Sequence, residues 1–303
     1  MADPRWFSAL DPDTLGRVRA LADAVAGEDG AEAFSEASVL DLDDKTVRGS
    51  TRHLLLAGDG ELPGYAHVDV SDPADVVVEL AVAPGHRRQG AGIALVRAVL
   101  EAHGDARFWA HGDHPGARII ADRLGLRRAR ELWMMRRDPT AGPLPTRPAP
   151  PDVLIEPFRV GIDEGAVVAV NGRAFARHPE QGAMTEADVR VREREPWFDA
   201  AGFLLARDGR SGELLGFHWT KVHEPSASSP ERVGEVYVVG VDPAAQGRGL
   251  GSALTLAGLH HLHGRGLDTV TLYVEGDNPA AIATYSKLGF DRIATDASYG
   301  RGI

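Results

Sequence analysis

Glu235–Leu254 reads EVYVVGVDPAAQGRGLGSAL. An apolar run of strand length ends at Val241, a proline-containing turn follows, and a helical pattern begins near Leu250. Between strand and helix lies Gln246-x-x-Gly249-x-Gly251, with Arg248 inside it. Glycine lets backbone N–H groups turn toward one anion without a Cβ in the way, and the helix that follows adds its positive N-terminal end. A pyrophosphate fits such a nest. The stretch lacks the Gly-Lys-Ser/Thr of a Walker A loop, and its glycine spacing is not that of the G-x-G-x-x-G fingerprint. Taken alone, the same residues also suit a plain strand-to-helix turn.

The chain makes this turn twice. LAVAPGHRRQGAGIAL (80–95) lies over VGVDPAAQGRGLGSAL (239–254), so that Pro84 meets Pro243, Gly90 meets Gly249 and Gly92 meets Gly251. HGDHPGARIIADRLGL (111–126) lies over EGDNPAAIATYSKLGF (275–290), sharing Gly-Asp-x-Pro and Leu-Gly-apolar. Two shared motifs in one order and at nearly one separation indicate a duplicated domain. The division falls at DPTAGPLPTRPAPPD (138–152), whose prolines exclude a helix or a central strand and leave an extended linker. The segments expected are an N-terminal domain over 1–138, a linker over 139–152 and a C-terminal domain over 153–303. Each half begins with a helical pattern (about 11–26 and 163–176). Hairpin-like strands follow at 53–58, 64–70, 203–208 and 214–222, and then the strand entering the glycine loop at 76–82 and 235–241. After the loop helix come a strand at 106–110 or 269–275 and a short helix opened by Asp-x-Pro. The fold class expected is α/β, each half an α+β mixed sheet with helices on both faces.

Composition narrows the function. The 303 residues carry a formal net charge of -11 with no basic run, which argues against a nucleic-acid partner. The longest apolar stretches are of strand length, so no membrane partner is expected. MADPRWFSALDPDTL has neither the basic nor the apolar region of a signal peptide, and the cytoplasm is the expected location. The absence of cysteine excludes disulfides, a thiolate nucleophile and cysteine-ligated metal. In HHLH (260–263) only His260 and His263 share a helix face, so a solvated surface is expected and no metal.

A strand, then Q/R-x-x-G-x-G/A, then a helix resembles the signature of the GCN5-related N-acetyltransferases, in both halves. The resemblance implies two tandem domains of that fold and acetyl-CoA as co-substrate, its pyrophosphate on the loop. In the first half it implies contacts from Leu80, Ala81, Val82, Arg87, Arg88, Gln89, Gly90, Ala91, Gly92 and Ile93. In the second it implies Val239, Gly240 and Val241 along the pantetheine arm, and Gln246, Gly247, Arg248, Gly249, Leu250, Gly251 and Ser252 in the loop. GDNPAAIATYSKLGF is similar to the family's late Asn-x-x-Ala-x-x-x-Tyr-x-x-x-Gly-Phe segment, which adds Asn278, Pro279, Ala280, Ala281, Ile282 and Ala283 and brings Asn278 and Tyr285 near the thioester. At the positions of Glu235, Asn278 and Tyr285 the first half has Val76, His114 and Ala121. It keeps the phosphate loop without the acid and the base, so catalysis is expected in the second half. There Glu235 is the candidate base, direct or through water, and Tyr285 the candidate acid toward the CoA sulfur. Singly, each also reads as an ordinary strand-edge carboxylate or a packing tyrosine.

Three stretches are polar for their setting: AFARHPEQG (174–182), GFHWTKVH (216–223, through His218, Thr220 and Lys221) and TLYVEGDN (271–278). They suit a polyhydroxylated acceptor, or ordinary loop polarity. With FWAHGDHPGAR (108–118) and RELWMMRR (130–137), they resemble a tandem-domain branch of the family that acetylates the cysteinyl amine of a cysteinyl-glucosaminyl-inositol. That resemblance implies substrate contacts at Glu36, Glu180, Lys221, Glu235 and Tyr273. The alternatives are an acetyltransferase of the same superfamily acting on another small amine, and a non-catalytic acetyl-CoA sensor. Tandem halves already form a pseudo-dimer, so a monomer is expected.

Overall fold

On the strand Thr51–Leu56, Leu54 and Leu56 enter one core and Leu55 the opposite one. This is the period-2 alternation of a sheet covered on both faces. The computed structural model describes residues 3–43, 50–56, 61–146, 148–176, 178–225 and 230–301. Its strands are β1 Pro4–Phe7, β2 Thr51–Leu56, β3 Gly64–Asp69, β4 Val77–Val82, β5 Arg107–Ala110, β6 Arg127–Arg137, β7 Val153–Pro157, β8 Phe203–Asp208, β9 Leu214–His223, β10 Val233–Val241, β11 Val270–Glu275 and β12 Asp291–Gly300. Its helices are α1 Pro12–Asp29, α2 Glu36–Leu42, α3 Ala91–Ala102, α4 Pro115–Leu124, α5 Glu164–Ala174, α6 Pro179–Gly182, α7 Glu186–Arg192, α8 Leu250–Gly264 and α9 Pro279–Lys287. The 57–58 end of the first hairpin strand expected from sequence lies outside the described residues.

Local chemistry sets the ends of these elements. Asp11 caps α1 by accepting from the Thr14 N–H at 2.8 Å, Pro12 occupies the first turn, and Gly30 closes the helix at φ 67°. The helices then cover both faces. Val18, Leu21 and Val25 of α1 pack on Leu55, Tyr65 and Ala81, whereas Leu95, Val96 and Val99 of α3 pack on the other side, on Leu54, Ala66 and Val78. The second half repeats this. Val167 and Val170 of α5 pack on Phe203, Phe217 and Trp219, with the Phe203 and Trp219 rings stacked at 4.3 Å, while α8 covers the opposite face. No helix among the described residues is long and apolar enough to cross a membrane.

All twelve strands form one sheet, in the order β1-β2-β3-β4-β5-β12-β6-β11-β10-β9-β8-β7. β4 and β5 are parallel, as are β10 and β11, and the remaining neighbours are antiparallel. The centre carries the main topological finding. β6 closes the first half of the chain but pairs with β11 of the second, with Trp133 opposite Val274. β12 closes the second half but pairs with β5 of the first, with Ser298 opposite Trp109. The halves exchange their last strands, and the two exchanged strands pair with each other. The proline-rich segment therefore divides the chain but not the sheet. It lies against the second half, where Leu144 packs on the Leu259–Phe290 core and the Pro145 carbonyl is 3.2 Å from His260 Nε2.

Candidate functional site

β10 and β11 pair only through Gly234–Val236, although β10 continues to Val241 and β11 to Glu275. Beyond Val236 the two strands part, and among the described residues the β11-facing edge of Val239, Gly240 and Val241 carries no strand pairing. A β-bulge marks the point of divergence, where Tyr237 is the extra residue between the pairs Val236–Thr220 and Val238–Trp219. The strand end leads into the glycine loop, with Gly247 at φ 78° and Gly249 at φ 79°, a region L side chains seldom adopt. α8 then starts at Leu250, so the free N–H groups of its first turn face the mouth of the opening. Gln246 donates to the Val241 carbonyl at 3.3 Å, and Arg248 is exposed. Asn278 caps α9, accepting from the Ala281 N–H at 3.1 Å, and Ala281, Ile282 and Tyr285 pack against the core under β11. Pro279, Ala280 and Ala283 are exposed on the same helix. Burial pushes the Tyr285 phenol up to about 12, so at neutral pH it holds its proton.

The first half has the same opening. β4 and β5 pair only through Val77–Glu79, opposite Arg107–Trp109, and the loop has Gly90 at φ 89° and Arg88 at φ 60° where the second half has Gly247. A cavity of about 770 Å³ follows, lined by Leu80, Ala81, Val82, Arg87, Arg88, Gly90, Ala91, Gly92 and Ile93 and by α4. A Cβ on Gly92 would come within 2.7 Å of the Ile120 side chain, so α3 and α4 pack closely at this glycine. Gln89 is turned back onto the Gly85 carbonyl at 3.1 Å. Arg87 forms a bidentate pair with Asp29 at 2.7 and 2.8 Å.

Odd-numbered positions of β9 and β11 and the bulged stretch of β10 make up the other face. Glu235 stands opposite Lys221 on β9 and Thr271 on β11, which places Tyr273, 45% exposed, two residues further along the same face. Glu36, the first residue of α2, reaches this face from the first half. Its carboxylate accepts from Lys221 Nζ at 2.5 Å and from the Tyr237 hydroxyl at 2.6 Å. Burial opposes its charge, but Lys221 and the two hydrogen bonds outweigh burial and hold the carboxyl below its ordinary value. Arg192 Nε donates to the Tyr237 oxygen at 2.7 Å, and Trp197 and Tyr237 present their rings to Lys221 Nζ at 4.7 and 5.3 Å. His223 Nε2 lies 2.5 Å from a Glu235 oxygen. At the far end of the face, Glu275 accepts from Arg130 of β6 and meets His178 at 3.0 Å.

The structure thus gathers Glu36, Lys221, Glu235 and Tyr273 on one face. The Glu180 side chain lies outside the described residues. His218 and Thr220, read from the sequence as polar groups at the cleft, are corrected. His218 is fully buried under α8, with Nδ1 donating to the Leu254 carbonyl at 2.8 Å, and burial pushes its imidazole down to about 4, leaving it neutral. Thr220 Oγ1 donates to the Gly202 carbonyl. Both occupy the even-numbered face of β9. Tyr237 and His223 were missed, although both stand two residues from singled-out positions, where strand alternation places them on the same face. Arg130 opens RELWMMRR, a stretch that carried the resemblance, while nothing in the sequence ties Arg192 or Trp197 to this site. His261 pairs with Asp199 at 2.9 Å and His263 with Asp268, and no group that could hold a metal occurs among the described residues.

Beside the first opening, whose cavity His111 lines, lies a buried charge cluster. His111 Nδ1 is 3.0 Å from Asp296 of the exchanged β12, and its Nε2 is 3.6 Å from Glu79 of β4. Glu79 also accepts from the Ser35 N–H at 2.7 Å, immediately before Glu36. Burial opposes both charges, yet the two carboxylates raise the imidazole to about 10, and His111 with the Ser35 bonds lowers Glu79 to about 2.

Comparison with known proteins places this geometry. The Acetyltransferase (GNAT) family model matches residues 19–121 and 174–290. A "Mycothiol acetyltransferase" of Salinispora arenicola is 54% identical, covering 96% of this chain and 94% of its own. One of Actinosynnema mirum is 52% identical over 99% of both chains. Among solved structures, a tandem GNAT protein from the clavulanic acid biosynthesis pathway, determined without AcCoA, superposes with a TM-score of 0.72 at 20% identity, covering 99% of each chain. A GCN5-related N-acetyltransferase from Sphaerobacter thermophilus gives 0.70 at 22% identity, covering 98% of this chain and 95% of that one. These two show the fold.

Proposed function

The chain belongs to the acetyltransferase (GNAT) family, and from that premise we propose that it is a mycothiol acetyltransferase. It moves the acetyl group of acetyl-CoA onto the cysteinyl amine of a cysteinyl-glucosaminyl-inositol, releasing CoA and mycothiol. The observation that carries this reading is the meeting of Glu36, Lys221, Glu235 and Tyr273 on one face beside the parted ends of β10 and β11.

Acetyl-CoA supplies an activated thioester. The α8 loop receives its pyrophosphate, and the unpaired edge of Val239–Val241 receives the pantetheine arm, with a strand-end N–H directed at the thioester carbonyl. Residues Pro279–Ala283 of α9 border the same opening, with Asn278 holding the helix start. The acceptor is an α-ammonium with a reference pKa of about 7.7–8.0, far below lysine at about 10.4, so a fraction of it is neutral near pH 7 and a carboxylate base suffices. Glu235 takes its proton, the neutral amine attacks the carbonyl carbon, and the C–S bond breaks as Tyr285 protonates the departing sulfur. Glu36, Lys221 and Tyr273 hold the hydroxyls and the cysteinyl carbonyl. The first half, over 1–138, retains a cradle for a second acetyl-CoA through residues 80–82 and 87–93 but has Val76 and Ala121 at the base and acid positions, and it does not catalyse.

The test is CoA release from acetyl-CoA with cysteinyl-glucosaminyl-inositol, run beside glucosaminyl-inositol, an aminoglycoside and a lysine peptide. Turnover of the cysteinyl compound alone is expected, and turnover of another amine in its place overturns the substrate. Glu36→Ala removes two charge-assisted hydrogen bonds, each worth about 1.5–3 kcal/mol. We expect KM for the acceptor to rise about 10–100-fold, with KM for acetyl-CoA unchanged, in steady-state assays varying each substrate in turn.

A further inference from the structure

His223 ends β9 with its side chain on the acceptor face, 42% exposed, and its Nε2 is 2.5 Å from an oxygen of Glu235, whose side chain is 9% exposed. The other groups facing this pair are committed elsewhere. Lys221 on β9 is paired with Glu36 of α2, and Tyr237 on β10 is held between Glu36 and Arg192 of α7. Tyr273 of β11 presents a phenol, and at the hairpin end Arg232 is paired with Glu224 at 3.0 Å. Among the described residues, the imidazole is therefore the half-exposed titratable ring in direct contact with the buried carboxylate.

We propose that His223 is a positioning residue that holds the Glu235 carboxylate and relays to solvent the proton this carboxylate takes from the acceptor ammonium. The inference rests on Glu235 being the base. An N–H bond of the ammonium breaks and an O–H bond forms on Glu235. In the resting pair Nε2–H donates to the carboxylate. Once Glu235 is protonated, the neutral ring exchanges that hydrogen for one on Nδ1 through water, and the Glu235 O–H proton passes to the freed Nε2. The resulting imidazolium gives a proton to water beside a regenerated carboxylate. Imidazole suits the step because it both accepts and releases a proton near neutral pH. Without a relay, a buried carboxylic acid must lose its proton through a site still filled by product.

The experiment uses the full chain carrying His223→Ala or His223→Gln, assayed for CoA release from pH 6 to 9 with and without added imidazole. Acetyl-CoA affinity and circular dichroism are expected to match the wild type. The value of kcat is expected to fall about 10–100-fold, its pH profile to change shape, and imidazole to restore His223→Ala in a saturable manner but not Glu235→Gln. Wild-type kcat in both variants would overturn the relay. So would a reduced kcat with the wild-type pH profile and no response to imidazole, which marks a purely structural contact. Loss of the relay alone leaves the wild type active on the cysteinyl compound. Failure of the proposed function appears instead as a wild type that does not turn that compound over.

Discussion

Glu235→Gln is expected to lower kcat/KM for the acceptor amine by about 10²–10⁴-fold, the usual contribution of a positioned general base. The amide keeps the size of the carboxylate but cannot take the amine proton. The change lies before the β10 bulge, away from the α8 loop proposed to receive CoA, so acetyl-CoA affinity should be unchanged in a direct binding titration. Stability should change little, since the amide can still bond to His223. Raising the pH supplies neutral amine without a base, so the deficit should shrink toward pH 9. Tyr285→Phe should behave differently. Its phenol is a proton donor throughout this range, because burial holds its pKa up at about 12, so the loss should appear in kcat and persist at high pH. If Glu235→Gln retained wild-type kcat/KM at pH 7, the assignment of the base would be wrong.

Asp296→Ala is expected to cost about 3–5 kcal/mol of stability, the usual effect of removing one partner from a buried ion pair. Asp296 pairs with His111 and also accepts from the Gly112 N–H at 2.8 Å. Its loss leaves a buried imidazolium with Glu79 alone and a backbone N–H without its acceptor. The pH dependence carries a definite sign. The folded pKa of His111 is about 10, above its ordinary 6.5, so its contribution is complete below pH 6.5 and is lost as pH rises toward 10. Glu79 is depressed from 4.5 to about 2, so its contribution is complete above pH 4.5 and is lost as pH falls toward 2. The cluster therefore stabilises most between about pH 4.5 and 6.5. Urea denaturation of the full chain should show wild-type stability falling from pH 6.5 to 10. His111→Gln should remove that slope, and Asp296→Ala should reduce it. Equal slopes in all three proteins would mean that the His111 charge does not hold β12 to β5.

The exchanged strands explain why this second effect matters beyond stability. Because β12 carries Asp296 into the first half and β6 carries Arg130 into the second, each opening is bordered by the other half's last strand. Glu79 links the cluster to the Ser35 N–H, and the next residue, Glu36, reaches Lys221. The proposed acceptor face is thus built from both halves of the chain.

The sequence by itself determined the duplicated strand–loop–helix units and the two-faced sheet, and it singled out Glu235 and Tyr285 of the second half as the candidate base and acid. Those features are local. Glycine spacing, a following helix N-terminus and period-2 alternation all act within about twenty residues of Glu235–Leu254. It also singled out Glu36, Lys221 and Tyr273 by resemblance, without a reason for them to meet. Only the tertiary structure decided that they do, because Glu36 and Lys221 are 185 residues apart, as are His111 and Asp296. The strand exchange was equally invisible. An antiparallel strand offers the same N–H and C=O groups to either neighbour, so nothing in the residues of β6 or β12 chooses between β5 and β11. Which face His218 and Lys221 occupy depended on strand register, which moves every side chain across the sheet on a one-residue shift. Packing under α8 buried the first, and the arrival of α2 from the first half gave the second its carboxylate.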